Sequence, residues 1–290
     1  MKKTILVTGG AGFVGSHLCE RLQKDGYRVI SLDNYFTGSK KNHVPGVIYR
    51  KGHTKNINKH IKEKVDIIYH LGEYSRVAVS IEEPIKVWDF NVSGTAAVLE
   101  FCRKRKCKLV YSGSSTKFSK TRIDGIEGKN LSPYTWSKAI NTELVKNYGE
   151  WYGLNYAIVY FYNVYGPREL SGRYGTVIEI FKQNYLKGKS LEYRLPGTQR
   201  RNYTHVLDTV EGIILAGKKG KGDDYGIGAK KSYSTKGVAE LFETKIKSLS
   251  ARKTSRPSAA VNTEKIKRLG WKECHKLEDY IKEIIKNNKK

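Results

Sequence analysis

A tyrosine and a lysine four residues apart, in the run Tyr134-Thr135-Trp136-Ser137-Lys138, carry the clearest chemistry in this chain. On a helix that spacing puts both side chains on one face. An ammonium held beside a phenol favours the phenolate and draws the tyrosine's pKa down from its ordinary ~10. The result would be a proton acceptor usable near neutral pH. Upstream, the chain opens on Thr8-Gly9-Gly10-Ala11-Gly12-Phe13-Val14-Gly15, with Gly9, Gly12 and Gly15 at every third position. After a strand and at the start of a helix, such glycines permit a tight turn. They also let the backbone approach a pyrophosphate seated on the helix N-terminus. The next apolar run ends in Asp33, about 20 residues on, as expected for a ribose partner. A carboxylate there accepts from ribose hydroxyls and repels a 2′-phosphate, which selects NAD over NADP. A base and a nicotinamide to take hydride read together as oxidation of a secondary alcohol.

Composition narrows the setting. The chain has 290 residues, enough for one large α/β unit or two unequal lobes with a real core. The N-terminal apolar run Ile5-Leu6-Val7 is too short for a signal peptide, and no stretch reaches membrane-spanning length. A soluble, cytoplasmic protein is expected. Cys19, Cys102, Cys107 and Cys274 show no metal spacing, so no metal site is expected and the thiols read as free in a reducing compartment. The net charge of +26 raises the question of nucleic acid. Arginine, preferred for phosphate forks and base edges, supplies only 15 of the 54 cations, and the lysines are scattered over the whole length. A lysine-rich solvated surface is the plainer reading, although Arg103-Lys104-Arg105-Lys106 and Lys218-Lys219-Gly220-Lys221 remain polyanion contacts in prospect.

Elements that position the chemistry follow from patterning. Strands are expected at Thr4–Thr8, Arg28–Asp33, Val47–Lys51, Asp66–Leu71, Lys108–Ser112 and Asn155–Tyr160. Helices are expected at Gly15–Asp25, Pro84–Lys104 and Tyr134–Tyr152, the last with Pro133 as its entry signal. This alternation predicts an α/β fold, a Rossmann-type doubly wound parallel sheet covered on both faces. After Gly166-Pro167-Arg168 the rhythm changes. A helix at Val177–Lys187, a strand at Leu191–Arg194, a helix at Leu207–Gly217 and short helices within Thr263–Trp271 and Leu277–Ile285 predict a smaller C-terminal substrate lobe. The expected division is residues 1–168 for the dinucleotide and 169–290 for the substrate. The polar segment Lys117–Lys129 reads as a surface loop.

Taken in order, these blocks make the chain resemble the extended short-chain dehydrogenase/reductases, specifically the NAD-dependent nucleotide-sugar epimerase/dehydratase family. The glycine segment, Asp33-Asn34, His70-Leu71-Gly72, Asn91-Val92-Ser93-Gly94-Thr95, Ser112–Thr116, Tyr134–Lys138, Asn163-Val164-Tyr165-Gly166-Pro167-Arg168, Tyr203-Thr204-His205-Val206 with Asp208, and Leu269-Gly270-Trp271 all fall in the family's order. The resemblance implies a catalytic set of Ser114, Tyr134 and Lys138. It implies NAD held by Gly9, Gly12, Phe13, Val14, Gly15, Asp33, Asn34, Leu71, Gly72, Asn91, Ser112, Tyr134 and Lys138. It also implies a UDP-sugar substrate, and a homodimer paired through the helices at Pro84–Lys104 and Tyr134–Tyr152.

Departures within the family pattern suggest which member this is. Dehydratases carry an Asp-Glu pair just after the active threonine and sugar-acid decarboxylases a Glu; here Ser115 and Thr116 stand there. With no acid to eliminate water, a UDP-hexose 4-epimerase is favoured, with Ser114, Ser115, Thr116 and Tyr134 facing the sugar. Ala259, where some epimerases have a bulky tyrosine, is associated with N-acetylated sugars, so UDP-glucose/galactose and UDP-N-acetylglucosamine/galactosamine are both open. Asn163, Arg201 and Arg252 (or Arg256, if the loop is shortened) match diphosphate contacts. His53-Thr54 replaces the usual adenine-gripping Asp and apolar residue. Competing expectations are a net dehydrogenase, reductase, dehydratase or decarboxylase on a nucleotide sugar, or a dinucleotide-sensing or RNA-binding relative that lost the chemistry.

Overall fold

The computed structural model describes residues 2–114, 132–161, 163–250 and 262–288. Its frame is a seven-stranded sheet. Strand β1 (Thr4–Thr8) is buried along its whole length, as a parallel strand covered on both faces must be. It pairs on one side with β2 (Arg28–Asp33), which pairs with β3 (Ile48–Lys51). On its other side lie β4 (Ile67–His70), β5 (Lys108–Ser112) and β6 (Tyr156–Phe161), all parallel. Beyond β6 comes a strand from the second half of the chain, Gly222–Ile227. Registry aligns Thr8 with Leu32 and His70, His70 with Tyr111, and Ser112 with Val159. The carboxyl ends of these strands therefore form one edge. The chain winds in opposite directions from β1, and the crevice at that reversal is where such sheets bind ligands.

Two hydrophobic clusters cover the faces. One packs helix α1 (Phe13–Lys24) and the helix Val206–Lys219 on Ile5, Val7 and Val159. The other packs the helices Gly94–Arg105 and Pro133–Tyr152 on Leu6, Leu109 and Ile158. A third cluster, with Phe181, Leu191, Phe242 and Ile281, forms the core of a smaller lobe.

Two expectations are modified. The helix expected over Pro84–Lys104 is three successive segments, α-helical at Pro84–Val87, π-helical at Trp88–Ser93 and α-helical again at Gly94–Arg105. The widened π turn carries Asn91, which is fully buried. The sequence boundary at residue 168 is not a boundary in space either. Tyr225 and Ile227 join the same cluster as Ile5 and Val7, and Val206–Lys219 covers the face shared with α1. The run Gly222-Asp223-Asp224-Tyr225-Gly226-Ile227 hides this strand from patterning, because Gly and Asp are depleted in strands. The register shifts between Gly222 and Tyr225, with Asp224 at φ +75°.

The C-terminal segment is fastened to this frame at one buried carboxylate. Asp208 accepts from the backbone N–H groups of Cys274 (3.1 Å) and His275 (3.0 Å) and lies 2.7 Å from His275 Nδ1. Trp271 Nε1 donates to the Asp208 carbonyl at 2.8 Å. Replacing Asp208 by Ala removes the acceptor of both backbone N–H groups and the partner of His275 Nδ1. The expected cost is about 3 kcal/mol of unfolding free energy in urea titration, with protease cleavage appearing first near residues 272–276.

Candidate active site

A cavity of about 340 Å³ opens at the carboxyl edge of the sheet. Its floor is the turn between β1 and α1. Gly9 has φ +73°, and a Cβ on Gly15 would lie 2.0 Å from the Gly9 carbonyl oxygen, so the turn closes only with hydrogen at both positions. Gly12 is the N-cap of α1 and offers no side-chain cap. The first N–H groups of a twelve-residue helix are thus left to whatever enters. Gly9, Gly12, Phe13, Val14, Gly15, Asp33, Asn34, Leu71, Gly72 and Ser112 all line the cavity.

Asp33 is held in place by the backbone N–H groups of Ala11 (2.9 Å) and Tyr35 (2.7 Å). Burial pushes its carboxyl above the ordinary range, and those two donors oppose the shift. Asn34 turns the chain after it by accepting from Phe36 N at 3.0 Å. At the neighbouring wall, Gly52, Thr54 and Phe90 reach the cavity. His53 beside them has a buried Nε2 that lies 3.5 Å from the Asp89 carboxylate, too far for a well-formed hydrogen bond. A side-chain-free helix N-terminus and a buried carboxylate at the end of β2 fit a dinucleotide.

The opposite wall is the helix Pro133–Tyr152. Ser132 and Thr135 close a capping box, each side chain taking the other's backbone N–H, and Pro133 occupies the first turn. That entry fixes the rotation of the helix, so that Tyr134 and Lys138 both line the cavity opposite Ser114 at the end of β5. Ser114 is buried.

Lys138 is tied down more firmly than the sequence indicates. Its side chain is 4% exposed, and its ammonium donates to the Ser112 carbonyl at 2.5 Å and to the carboxylate of Glu73, itself 2% exposed. Glu73 also accepts from Thr95 Oγ1 (2.9 Å), Asn141 Nδ2 (3.1 Å) and Tyr111 OH (3.2 Å). With its own hydroxyl donating to Glu73, Thr95 Oγ1 accepts a hydrogen bond from His70 Nε2–H at 3.0 Å. Nδ1 of His70 then accepts from Thr8 Oγ1 at 2.7 Å. Burial pushes His70 down to about 4, so the ring is neutral, as this donor order requires. The same Thr8 oxygen accepts from Leu71 N and Gly72 N. Hydrogen bonds therefore run unbroken from the end of β1 to the catalytic-type lysine. Glu73 is the residue that sequence reasoning missed. A lone glutamate after His70-Leu71-Gly72 carried no motif, and only its burial marks it.

Not every expected residue reaches the cavity. Asn91, expected to touch the cofactor, does not line it. Its amide accepts from Tyr74 N (2.6 Å) and donates to Tyr74 O (3.1 Å) and Ser137 Oγ (2.9 Å), which makes it a buried clasp between the π turn and the catalytic-type helix. Asn163 lines the cavity with φ +33° and donates to the Asn202 carbonyl at 3.1 Å. Arg201 lies on the strand Arg200–Asn202, next to Asn202, and is not among the lining residues. Ser115, Thr116, Arg252, Arg256 and Ala259 lie outside the described residues.

A glycine cradle, a buried carboxylate at the end of β2, and Ser114, Tyr134 and Lys138 lining one cavity at the edge of a parallel sheet are the frame of a dinucleotide-dependent enzyme. Residues 5–228 match the NAD dependent epimerase/dehydratase family, and the chain belongs to that family. It is 32% identical to a putative UDP-glucose 4-epimerase of Methanocaldococcus jannaschii, over 98% of this chain and 99% of the other. It is also 32% identical to a UDP-N-acetyl-alpha-D-glucosaminuronate decarboxylase of Bacillus cytotoxicus, over 83% and 79%. Among solved structures, UDP-glucose 4-epimerase from Thermotoga maritima with UDP-glucose superposes with a TM-score of 0.89 at 26% identity, covering 98% of this chain and 97% of that one. The chain is thus an NAD-dependent enzyme of the epimerase/dehydratase type. Among the described residues no helix is long and apolar enough to cross a membrane.

Glu73→Gln leaves the Lys138 ammonium buried without a counter-charge, and the expected loss is about 3–5 kcal/mol of stability in denaturant titration. His70 generates a pH dependence. Above pH 6.5 the ring is neutral in both folded and unfolded chains, so stability is at its full value. As pH falls from about 6.5 to 4, the unfolded chain takes the proton first and stability drops by about 3 kcal/mol. Urea melts across that window should show the drop, and His70→Gln should remove it.

Proposed function

We propose that this protein inverts C4 of a UDP-hexose through a transient 4-keto sugar. The observation that carries the reading is that Ser114, Tyr134 and Lys138 open onto one cavity with the glycine turn, while Ser115 and Thr116 stand where dehydratases and decarboxylases carry acids. In this reading the Ser114 hydroxyl bonds the C4 hydroxyl, and Tyr134 removes its proton and later returns it. Bound NAD⁺ supplies the hydride acceptor and gives the hydride back to the other face of the ketone, with no net redox change. Lys138, anchored by Glu73 and Ser112, stands near the base and faces the nicotinamide ribose. Gly9, Gly12, Phe13, Val14 and Gly15 hold the dinucleotide diphosphate, Asp33 and Asn34 its ribose, and Leu71, Gly72 and Ser112 the nicotinamide end. Asn163, Arg201 and Arg252 serve the UDP diphosphate, and Ala259 leaves room for an N-acetyl group.

Residues 1–168 supply most of the dinucleotide site and residues 169–290 most of the sugar-nucleotide site. Exposed Ile85, Trp88 and Trp136, with the two indoles 4.9 Å apart, support a homodimer paired through the helices that carry them. The free thiols suit the cytoplasm.

Incubation of the pure protein with UDP-glucose, UDP-galactose and their N-acetylated counterparts should yield 4-epimers without accumulating NADH. Tyr134→Phe should lower kcat by at least about 100-fold. A fully active Tyr134→Phe protein removes the base, and stoichiometric NADH release marks a net dehydrogenase instead.

A further inference from the structure

Arg76 lines the same cavity and has no part in the chemistry above. It follows β4 by six residues and reaches across to the second half of the chain, where its Nε donates to the Tyr174 carbonyl at 2.6 Å. One terminal nitrogen turns back to Ser75, at 3.2 Å from the carbonyl and 3.5 Å from the hydroxyl. The other has no hydrogen-bond partner among the described residues, and no described carboxylate comes within ion-pair distance of the guanidinium.

The side chain is half-buried, and desolvation lowers its pKa; the groups whose charges it feels are Glu169, Tyr134 and Tyr74. Glu169 does not neutralise it. Burial pushes that carboxyl up to about 8, so it is protonated at neutral pH, with one oxygen accepting from Thr176 and the other without a hydrogen-bond partner among the described residues. Among the described residues, the cavity that Tyr134 also lines therefore presents a guanidinium with one terminal nitrogen free and no counter-charge. Desolvating a cation in this way is unfavourable unless an anion completes the site.

The position of Tyr134 limits which anion can do so. This argument rests on the 4-epimerase reading, in which the phenol faces C4. In a hexopyranose C1 lies across the ring from C4, so the diphosphate on C1 points away from the phenol. A negative group near Tyr134 must hang from a carbon next to C4, either as the acid at C6, carried by C5, or through the oxygen on C3.

We propose that Arg76 selects a nucleotide sugar bearing a carboxylate next to the reacting carbon, a UDP-hexuronate being the simplest. A carboxylate can accept from the free terminal nitrogen of the guanidinium fork and supply the missing counter-charge. A neutral hexose offers the same place only a hydroxyl, and the fork then stays without its charge partner.

Binding to the NAD-loaded protein is measured by calorimetry, so that the result does not depend on turnover. The pairs are UDP-glucuronate against UDP-glucose, and UDP-N-acetylmuramate, whose acid hangs from the C3 oxygen, against UDP-N-acetylglucosamine. The expected result is at least about tenfold tighter binding of the acid in one pair, and that pair identifies the carbon. In R76Q the ratio should collapse towards unity, whereas R76K, which keeps the charge without the fork, should retain part of it. Equal affinities in both pairs for the wild-type protein, a comparison that needs no variant, overturn the proposal. So does a preference that survives in R76Q. Failure to epimerise any of the four sugars, whatever their affinities, instead overturns the 4-epimerase reading.

Discussion

A buried ammonium must be neutralised where it sits, and the pairing of Lys138 with Glu73 is the constraint around which the catalytic wall is built. Neither side chain has appreciable access to water, so each charge is tolerable only because of the other and of the hydrogen bonds around them. Glu73 comes from the turn after β4, Lys138 from the helix Pro133–Tyr152, and Thr95 from the helix Gly94–Arg105. Satisfying one carboxylate thus fixes three elements relative to one another. Through His70 and Thr8 the same network reaches the strand that launches the glycine turn. Cofactor cradle and proton-transfer wall are joined by polar contacts, not only by apolar packing. The ammonium of Lys138 is directed to Glu73 and to the Ser112 carbonyl.

Much of the fold was legible in the sequence because it rests on local rules. The strands at Thr4–Thr8, Arg28–Asp33, Lys108–Ser112 and Leu191–Arg194 have the expected bounds. Continuous apolar runs in a parallel sheet announce themselves, and Pro133 marks the start of the helix Pro133–Tyr152 to within one residue. The glycine turn and Asp33 were readable because phosphate and ribose impose chemistry on spacing. What stayed hidden depended on three-dimensional context. Gly222–Ile227 has poor strand propensity and belongs to the sheet only because β6 offers an edge. Glu73 and Arg76 look like ordinary charged residues in a polar turn until burial and orientation distinguish them. Asn91 sits in a block that suggested cofactor contact, yet the π turn directs its amide inward, where Tyr74 and Ser137 occupy it.

The two ends of the cavity differ in how they are stabilised. The dinucleotide end is shaped by backbone: glycines without side chains, a helix N-terminus and a carboxylate held by two N–H groups. Backbone geometry of this kind tolerates little variation, which fits a cofactor common to the whole family. The sugar end is shaped by side chains from both halves of the chain, among them Arg76, Asn163, Leu170 and Thr176. Such positions can change without disturbing the sheet, and relatives named as epimerase and decarboxylase align over the same frame.

The late return of the chain to its first sheet has a consequence for how the polypeptide comes together. Until Gly222–Ile227 is made, β6 is the sheet margin, and its sequence Tyr-Ala-Ile-Val-Tyr-Phe is an apolar run with open backbone donors and acceptors. A nascent or clipped chain ending before that strand carries a sticky border suited to self-association. The dinucleotide half is therefore not a self-sufficient module. Its last seam is closed by residues translated some sixty positions later, so the molecule is complete only when nearly all of it has left the ribosome.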